Sequence, residues 1–247
     1  MSGAGEAGGE GEPDPGDGTT SDGRAGPDRG GGDCPTVLVA TRSPHKLVEI
    51  RELLGDLPVR FLSLEEAGVP ETPAEADEEI EVHDSFAANA LAKARHFHRR
   101  TGLATVADDS GLCVDALDGG PGVRTKRFAP EEAARRLGRD EANNRHLLEV
   151  LEEVPGDERG AHYHCSAAVA TGEESFTVEG KVHGRIAREP RGEGGFGYDP
   201  LFVPRGRGRT FGELPPSVKQ EISHRSEAFR ALRPWLERLA GGDEPAG

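Results

Sequence analysis

An α/β fold is what the sequence predicts, on three observations. Short β-rich apolar runs occur at Thr36-Val37-Leu38-Val39-Ala40, at Val59 to Ser63 and at Leu103-Ala104-Thr105-Val106. Between them lie stretches with helical periodicity, in which Leu47, Ile50, Leu53 and Leu54 share one face and Phe86 to Arg100 follows a capping residue, Asp84 or Ser85. Two longer runs, His162 to Ala170 and Phe176 to Ala187, are joined by Thr171-Gly172-Glu173-Glu174 and read as a hairpin.

The first strand ends in Thr41-Arg42-Ser43-Pro44-His45-Lys46, and the helix that follows stops near Gly55. A strand feeding a helix through a loop is a common place to hold phosphate, because helix N-terminal N–H groups point at the anion. Lys46 in the first turn opposes the helix macrodipole, which is unfavourable unless an anion lies nearby. The loop lacks the G-x-x-x-x-G-K-[ST] pattern, so it is not a P-loop.

From Glu71 to Asp84 there are seven acids in fourteen residues, directly ahead of the helix that starts at Phe86 and stops at Gly102. The next apolar run leads into Ala107-Asp108-Asp109-Ser110-Gly111-Leu112, where Gly111 reads as a sharp turn before a second strand. Two adjacent carboxylates at the end of a buried strand are costly without a cation to meet them. In an alternating strand they point to opposite faces. Oxygen ligands of this kind suit Mg²⁺, and an acid from the preceding run could complete the site.

Further along, Asp118-Gly119-Gly120-Pro121-Gly122 reads as an irregular turn, followed by the cations Lys126 and Arg127. Pro130-Glu131-Glu132 opens a short helix with Pro at its first position, and Asp140 caps another that carries Leu147, Leu148 and Leu151. His162, His164 and His183 are expected to be sheet-surface residues, since none has a Cys or acid at metal-site spacing. Gly194-Gly195-Phe196-Gly197-Tyr198-Asp199 gives a backbone able to approach a flat ligand while its rings stack on it. The last helix presents Phe229, Leu232, Leu236 and Leu239 on one face, with Pro234 expected to kink it.

Composition narrows the function. Of 247 residues, the first 33 hold twelve Gly, three Pro and eight Asp or Glu but no Val, Ile, Leu or Phe. That segment is expected to be a disordered acidic tail, and residues 241–247 a second, shorter one. The domain is then 34–240. The tail carries −6 of the formal −15, and the acidic balance of the remainder argues against a nucleic-acid partner. No apolar run approaches a membrane span, and three scattered cysteines without a C-x-x-C pair fit a reducing, cytoplasmic setting.

Taken together these segments resemble the inosine triphosphate pyrophosphatase family, from about Val37 to Leu232. The resemblance rests on Val39-Ala40-Thr41 with Lys46, Ser85-Phe86-Ala87-Ala88-Asn89-Ala90 with Lys93-Ala94-Arg95, and Ala107 to Leu112. Gly120-Pro121-Gly122-Val123, Asn143-Asn144, Gly195 to Pro200 and Ile222-Ser223-His224-Arg225 complete it. It implies an elongated, mixed α/β sheet flanked by helices around a central nucleotide-binding cleft, in a homodimer. The implied reaction is Mg²⁺-dependent hydrolysis of deaminated purine nucleoside triphosphates to the monophosphate and pyrophosphate. Glu81 and Asp109 would bind the metal, and Asp109 would also be the base. Thr41, Arg42, Ser43, Pro44, His45 and Lys46 would hold the triphosphate, and Ser110 would contact the substrate. Phe196, Gly197, Tyr198 and Asp199 would cradle the base, with Lys219, His224 and Arg225 completing the base and phosphate contacts. The chain departs from the family pattern in two places: Arg42-Ser43 stands where Gly-Asn is usual, and Ala88 precedes Asn89 where Glu is common. Two rival readings are a non-catalytic nucleotide sensor on the same fold, against which the retained acids argue, and a pyrophosphatase of broad nucleotide specificity.

Overall fold

Six strands form one mixed sheet in the order β2-β1-β3-β4-β5-β6. The computed structural model describes residues 34–70 and 80–241. The expectations for both tails fall almost wholly outside these residues, as do Glu71, Glu75, Asp77, Glu78 and Glu79 of the acidic run. β1 (Thr36–Val39) is followed by α1 (Pro44–Leu54), β2 (Arg60–Leu62) and α2 (Phe86–Thr101). β3 (Ala104–Val114) leads through two 3₁₀ turns to α3 (Glu131–Leu137) and α4 (Arg139–Val150). The hairpin of β4 (Gly160–Ala170) and β5 (Ser175–Ile186), then β6 (Phe202–Pro204), α5 (Pro216–Ile222) and α6 (His224–Gly241), complete the chain.

β1 pairs in parallel with β2 and β3, as crossovers through α1 and α2 demand, whereas β3 to β6 run antiparallel. Side chains alternate between two apolar layers. Val37, Val39, Val106, Cys165, Ala167 and Val169 pack with α1 and α6, while Leu38, Ala40, Ala107, Ala168 and Ala170 pack with α2. The same alternation sends Asp108 toward α1 and α6 and Asp109 toward α2, so β3 serves two environments from consecutive residues.

The expected turn at Gly111 is not there. β3 runs unbroken from Ala104 to Val114, with Gly111 opposite His164 of β4. The glycine is needed for closeness rather than bending. A Cβ here would press on the Gly122 carbonyl and come within 2.9 Å of the Phe86 ring.

Local signals fare better elsewhere. Ser43 and Ser85 cap α1 and α2 by accepting from Lys46 N and Ala88 N, and Gly102 ends α2 with φ 72°. Gly55 follows α1 but stays right-handed at φ −68°. Pro130 precedes α3 rather than opening it, and Asp140 lies in the first turn of α4 rather than capping it. β6 and α5, both short, carry too few residues to show a period.

Candidate active site

Asp108 is buried on the α1/α6 side of β3, and its Oδ2 is ringed by cations. Lys46 Nζ lies at 2.8 Å, and Arg225 approaches through Nη2 at 3.2 Å and Nε at 3.3 Å. Ser110 Oγ donates to the same oxygen at 3.3 Å. Burial opposes ionisation, yet Lys46, Arg225 and Lys93 override it and hold the carboxyl far below the usual carboxylate range. Lys46, placed against the macrodipole of α1, has found its anion. Oδ1 of Asp108 is buried and, among the described residues, has no partner.

Asp109 faces α2. Its Oδ2 accepts from Asn89 Nδ2 at 3.0 Å and its Oδ1 from the Ser110 N–H at 3.0 Å. Asn89 is itself fixed by the His83 backbone through both ends of its amide. One turn later on α2, Lys93 donates to the Asp108 carbonyl at 2.8 Å and pairs with Glu81. Burial raises the Asp109 pKa, Glu81 adds to the rise, and Lys93 and Lys46 offset part of it. Glu81 goes the other way: Lys93 and Lys126 outweigh its burial and keep it ionised.

The Gly-rich segment forms the other end of the site. Gly195 has φ 77° and no room for a Cβ beside the Asp199 carboxylate, which accepts from Phe196 N at 2.8 Å. Lys219 Nζ reaches Asp199 Oδ2 at 2.6 Å and Glu49 Oε1 at 2.9 Å. Glu49 also pairs with Arg225, so an ionic chain runs Asp199–Lys219–Glu49–Arg225–Asp108–Lys46 through the interior. Lys219 stands 4.4 Å over the Phe196 ring, and His224 lies parallel to Tyr163 at 4.7 Å. Burial and the neighbouring Arg225 and Lys219 hold His224 neutral, well below its ordinary range.

Two adjoining cavities of about 280 Å³ each share Ser43, Lys46, Ser110, Thr125, Lys126 and Arg139 as a common wall. One opens on Phe196, Gly197, Asp199, Lys219, His224 and Arg225; the other on Thr41, Arg42, Glu81, Lys93 and Asp109. Of the residues singled out in the sequence, two sit apart from this division. Pro44 lines neither of the two cavities and faces a separate outer one. Tyr198 is buried with its hydroxyl on the Thr125 carbonyl at 2.8 Å, so it anchors the loop instead of offering a ring. His45 lines the Phe196 end, apart from the cavity of Asp109 and Glu81.

Ser43 reaches both cavities, but its Oγ caps α1. Pro44 has no N–H and the Lys46 N–H is engaged by Ser43, so two of the first-turn positions offer no backbone donor to an anion.

Four contributors were given no role in the sequence reading, although Lys93, Asn143 and Asn144 stand in the motifs that carry the resemblance. Glu49 lies three residues after Lys46 on the same helix face, and Lys93 four after Asn89 on the face of α2 turned to β3; such spacings were the available signal. Asn143 and Asn144 tie the cleft together, from Asn143 to the Thr125 carbonyl (3.3 Å) and from Asn144 to the Gly197 carbonyl (3.0 Å).

The acidic end suits a small divalent cation. Asp109 and Glu81 line one cavity and repel each other's charge, which a cation there would relieve. Among the described residues no group of three or more His, Cys, Asp or Glu is arranged to hold a metal. Two carboxylates accord with an ion that takes its remaining ligands from water and substrate phosphate, as Mg²⁺ does.

Comparison with known proteins places this geometry. The family model described as the Ham1 family matches residues 37–235. A dITP/XTP pyrophosphatase of Anaeromyxobacter sp. (strain Fw109-5) is 44% identical over 229 residues, spanning 83% of this chain and 97% of the relative. One from Geobacter sulfurreducens is 46% identical over 201 residues, spanning 81% and 96%. Among solved structures, a HAM1 protein from Coxiella burnetii superposes with TM-score 0.70 at 38% identity, over 82% of this chain and 98% of that one. A nucleoside-triphosphatase, dITP/XTP pyrophosphatase, from Mycobacterium abscessus gives TM-score 0.62 at 45% identity, over 81% and 99%.

Proposed function

The chain belongs to the Ham1 family, and from that premise we propose that it hydrolyses deaminated purine nucleoside triphosphates (ITP, dITP, XTP) to the monophosphate and pyrophosphate. The observation that carries this reading is the divided cleft. A carboxylate-and-lysine end around Asp109 adjoins an aromatic, donor-rich end around Phe196, across a wall that includes Lys46 and Ser110. A nucleoside triphosphate has the same polarity, phosphates at one end and a flat base at the other.

In this reading Asp109 and Glu81 hold Mg²⁺, which when bound neutralises phosphate charge. Asp109 accepts the proton of the water that attacks the α-phosphorus. Lys46 and Lys126 orient the phosphate chain and stabilise the departing pyrophosphate, so positioning and electrostatics supply the catalysis. Ser110, held by Arg225 at 3.0 Å, sits at the junction of phosphate and nucleoside. The catalytic domain is residues 34–240, acting as a homodimer in the cytoplasm. No described helix is long and apolar enough to cross a membrane.

Base selectivity follows from hydrogen-bond polarity. Lys219 directs two of its three protons to Asp199 and Glu49, and Arg225 Nη1 directs one of two to Glu49. The remaining proton of each is a donor for a 6-oxo group and clashes with the 6-amino donor of adenine. A site whose buried polar groups are left unpaired rejects the wrong base strongly. Steady-state kinetics across a triphosphate panel, following pyrophosphate and orthophosphate separately, test the reading. Guanine shares the 6-oxo group, so its rejection has to come from C2, where the 2-amino group needs room or an acceptor that the pocket denies it. The expected efficiency on ITP and XTP exceeds that on ATP and GTP by at least ~10²-fold, roughly 2.7 kcal/mol. Equal rates on GTP and ITP would refute the selectivity, and orthophosphate as first product would refute attack at the α-phosphorus. Sedimentation at micromolar concentration tests the dimer.

A further inference from the structure

His45 lies in the loop that the resemblance assigns to the triphosphate, but its ring is elsewhere. It stacks on Phe196, with centroids 5.2 Å apart and planes inclined by 13°. Both rings line the donor-rich cavity with Asp199, Lys219 and Arg225, and neither lines the cavity that holds Asp109 and Glu81.

We propose that His45 is a base-stacking residue, so that the purine enters between the imidazole and the Phe196 ring and is held by both. This rests on the reading of the cleft as a nucleotide site and deepens it. The two rings are already nearly parallel, the arrangement that an intercalated base requires. A base between the two rings adds a stacking layer of about 3.4 Å, so the ring pair has to part or slide to admit it.

The structure gives Phe196 the means. Its backbone is tied through Phe196 N to Asp199 and through the Gly197 carbonyl to Asn144, so the ring moves by rotation of its own side-chain torsions. Both rings also face a further cavity of about 400 Å³ walled in part by Leu53, Phe211 and Leu214, which offers space for the displaced phenyl. His45, by contrast, is mounted on the first turn of α1, which packs against the core through Ile50 and Leu54. One wall is fixed and the other yields. In the free protein the two rings cover each other, which keeps the base slot closed until a purine replaces each ring as the other's neighbour. Base–aromatic stacking tolerates any purine, so His45 contributes affinity while the donors on Lys219 and Arg225 contribute discrimination.

Three variants, His45→Ala, His45→Phe and His45→Gln, separate the possibilities, and the exposed position of His45 spares the fold. Inosine monophosphate and inorganic pyrophosphate are titrated into each by calorimetry, and KM and kcat for ITP are measured beside them. His45→Ala is expected to weaken the monophosphate and raise KM by about ten-fold, the scale of one lost base stack, with pyrophosphate affinity and kcat changed by less than about two-fold. His45→Phe should restore both, and His45→Gln, which keeps polar reach without a ring, should resemble Ala. Parallel loss of pyrophosphate and monophosphate binding, or full function in His45→Gln, would return His45 to the phosphates. Unchanged monophosphate binding in His45→Ala would make the ring pair a wall only. Because the binding arms need no turnover, an absence of hydrolysis would overturn the functional reading separately from the stack.

Discussion

Lys46 Nζ and Asp108 Oδ2 are 2.8 Å apart, and both side chains are almost wholly removed from solvent. Asp108 answers a lysine at the wrong end of its helix, shares Arg225, and leaves its neighbour Asp109 to the opposite face. The folded-state pKa is depressed, so the stability it contributes is present above the unfolded value of 3.8 and is lost only as pH falls through the much lower folded value. Asp108 is therefore ionised wherever the protein is folded and is unsuited to proton transfer.

Asp108→Asn strands the charges of Lys46 and Arg225 in the interior. Breaking a buried pair by removing one partner typically costs about 3–5 kcal/mol. Urea unfolding should show a loss on that scale, with activity lost as a consequence of the disturbed cleft. A loss well under about 1 kcal/mol would mean that water reaches these cations.

Asp109→Asn should behave in the opposite way. Burial raises its folded pKa above 3.8, so the ionised form destabilises the fold above that folded value and the penalty disappears below the unfolded one. In chelator, at neutral pH, the asparagine variant should be as stable as the parent or more so. Its turnover should nearly vanish. Retention of more than a tenth of parental turnover, a barrier change of only ~1.4 kcal/mol, would remove Asp109 as the base.

Glu81→Gln should shift the metal requirement more than the maximal rate. The carboxylate pairs with Lys93 and faces the cavity of Asp109, so its loss weakens cation binding without removing the base. Activity titrated with Mg²⁺ should move to higher concentration and recover in part at saturation. Chelation of the parent should abolish turnover and leave the circular dichroism spectrum intact. An unchanged Mg²⁺ titration in the variant would take Glu81 out of the metal site.

How much of this was legible in the sequence depends on the range of the forces involved. The cap at Asp84 or Ser85, of which the structure uses Ser85, the stop at Gly102, the β4–β5 hairpin and the opposed directions of Asp108 and Asp109 follow from local rules, and were read. Gly111 was read as a turn because a glycine's tolerance of bending is local, whereas the Phe86 ring and Gly122 carbonyl that forbid a Cβ there are distant in sequence. Gly111→Ala should accordingly cost about 1–3 kcal/mol by overpacking, with no change of turn geometry to relieve it. Glu49 carried only its spacing from Lys46, since Lys219 and Arg225, which give it meaning, arrive some 170 residues later. Tyr198 and Phe196 were equivalent as letters. The Thr125 carbonyl, reached by one and not the other, makes them different.

The alkaline limb of the rate profile offers a separate test, at Lys126. This side chain lines both halves of the cleft, where repulsion from Lys46, then burial, then Lys93, lower its pKa from 10.5 to about 8. The residue is open to solvent over part of its surface, and screening there moves the effective value up toward the ordinary one. A triphosphate brings negative charge beside it and favours the ammonium, so binding above neutral pH takes up a proton. The profile of kcat/KM against pH, which reports the free enzyme, should therefore fall on the alkaline side with an inflection between about 8 and the ordinary lysine value. Lys126→Met should lower the plateau and remove that inflection, and Lys126→Arg, whose guanidinium keeps its proton, should remove it while retaining the plateau. If the inflection survives in both variants, it belongs to another group, and Lys126 does not bind the phosphates as a cation.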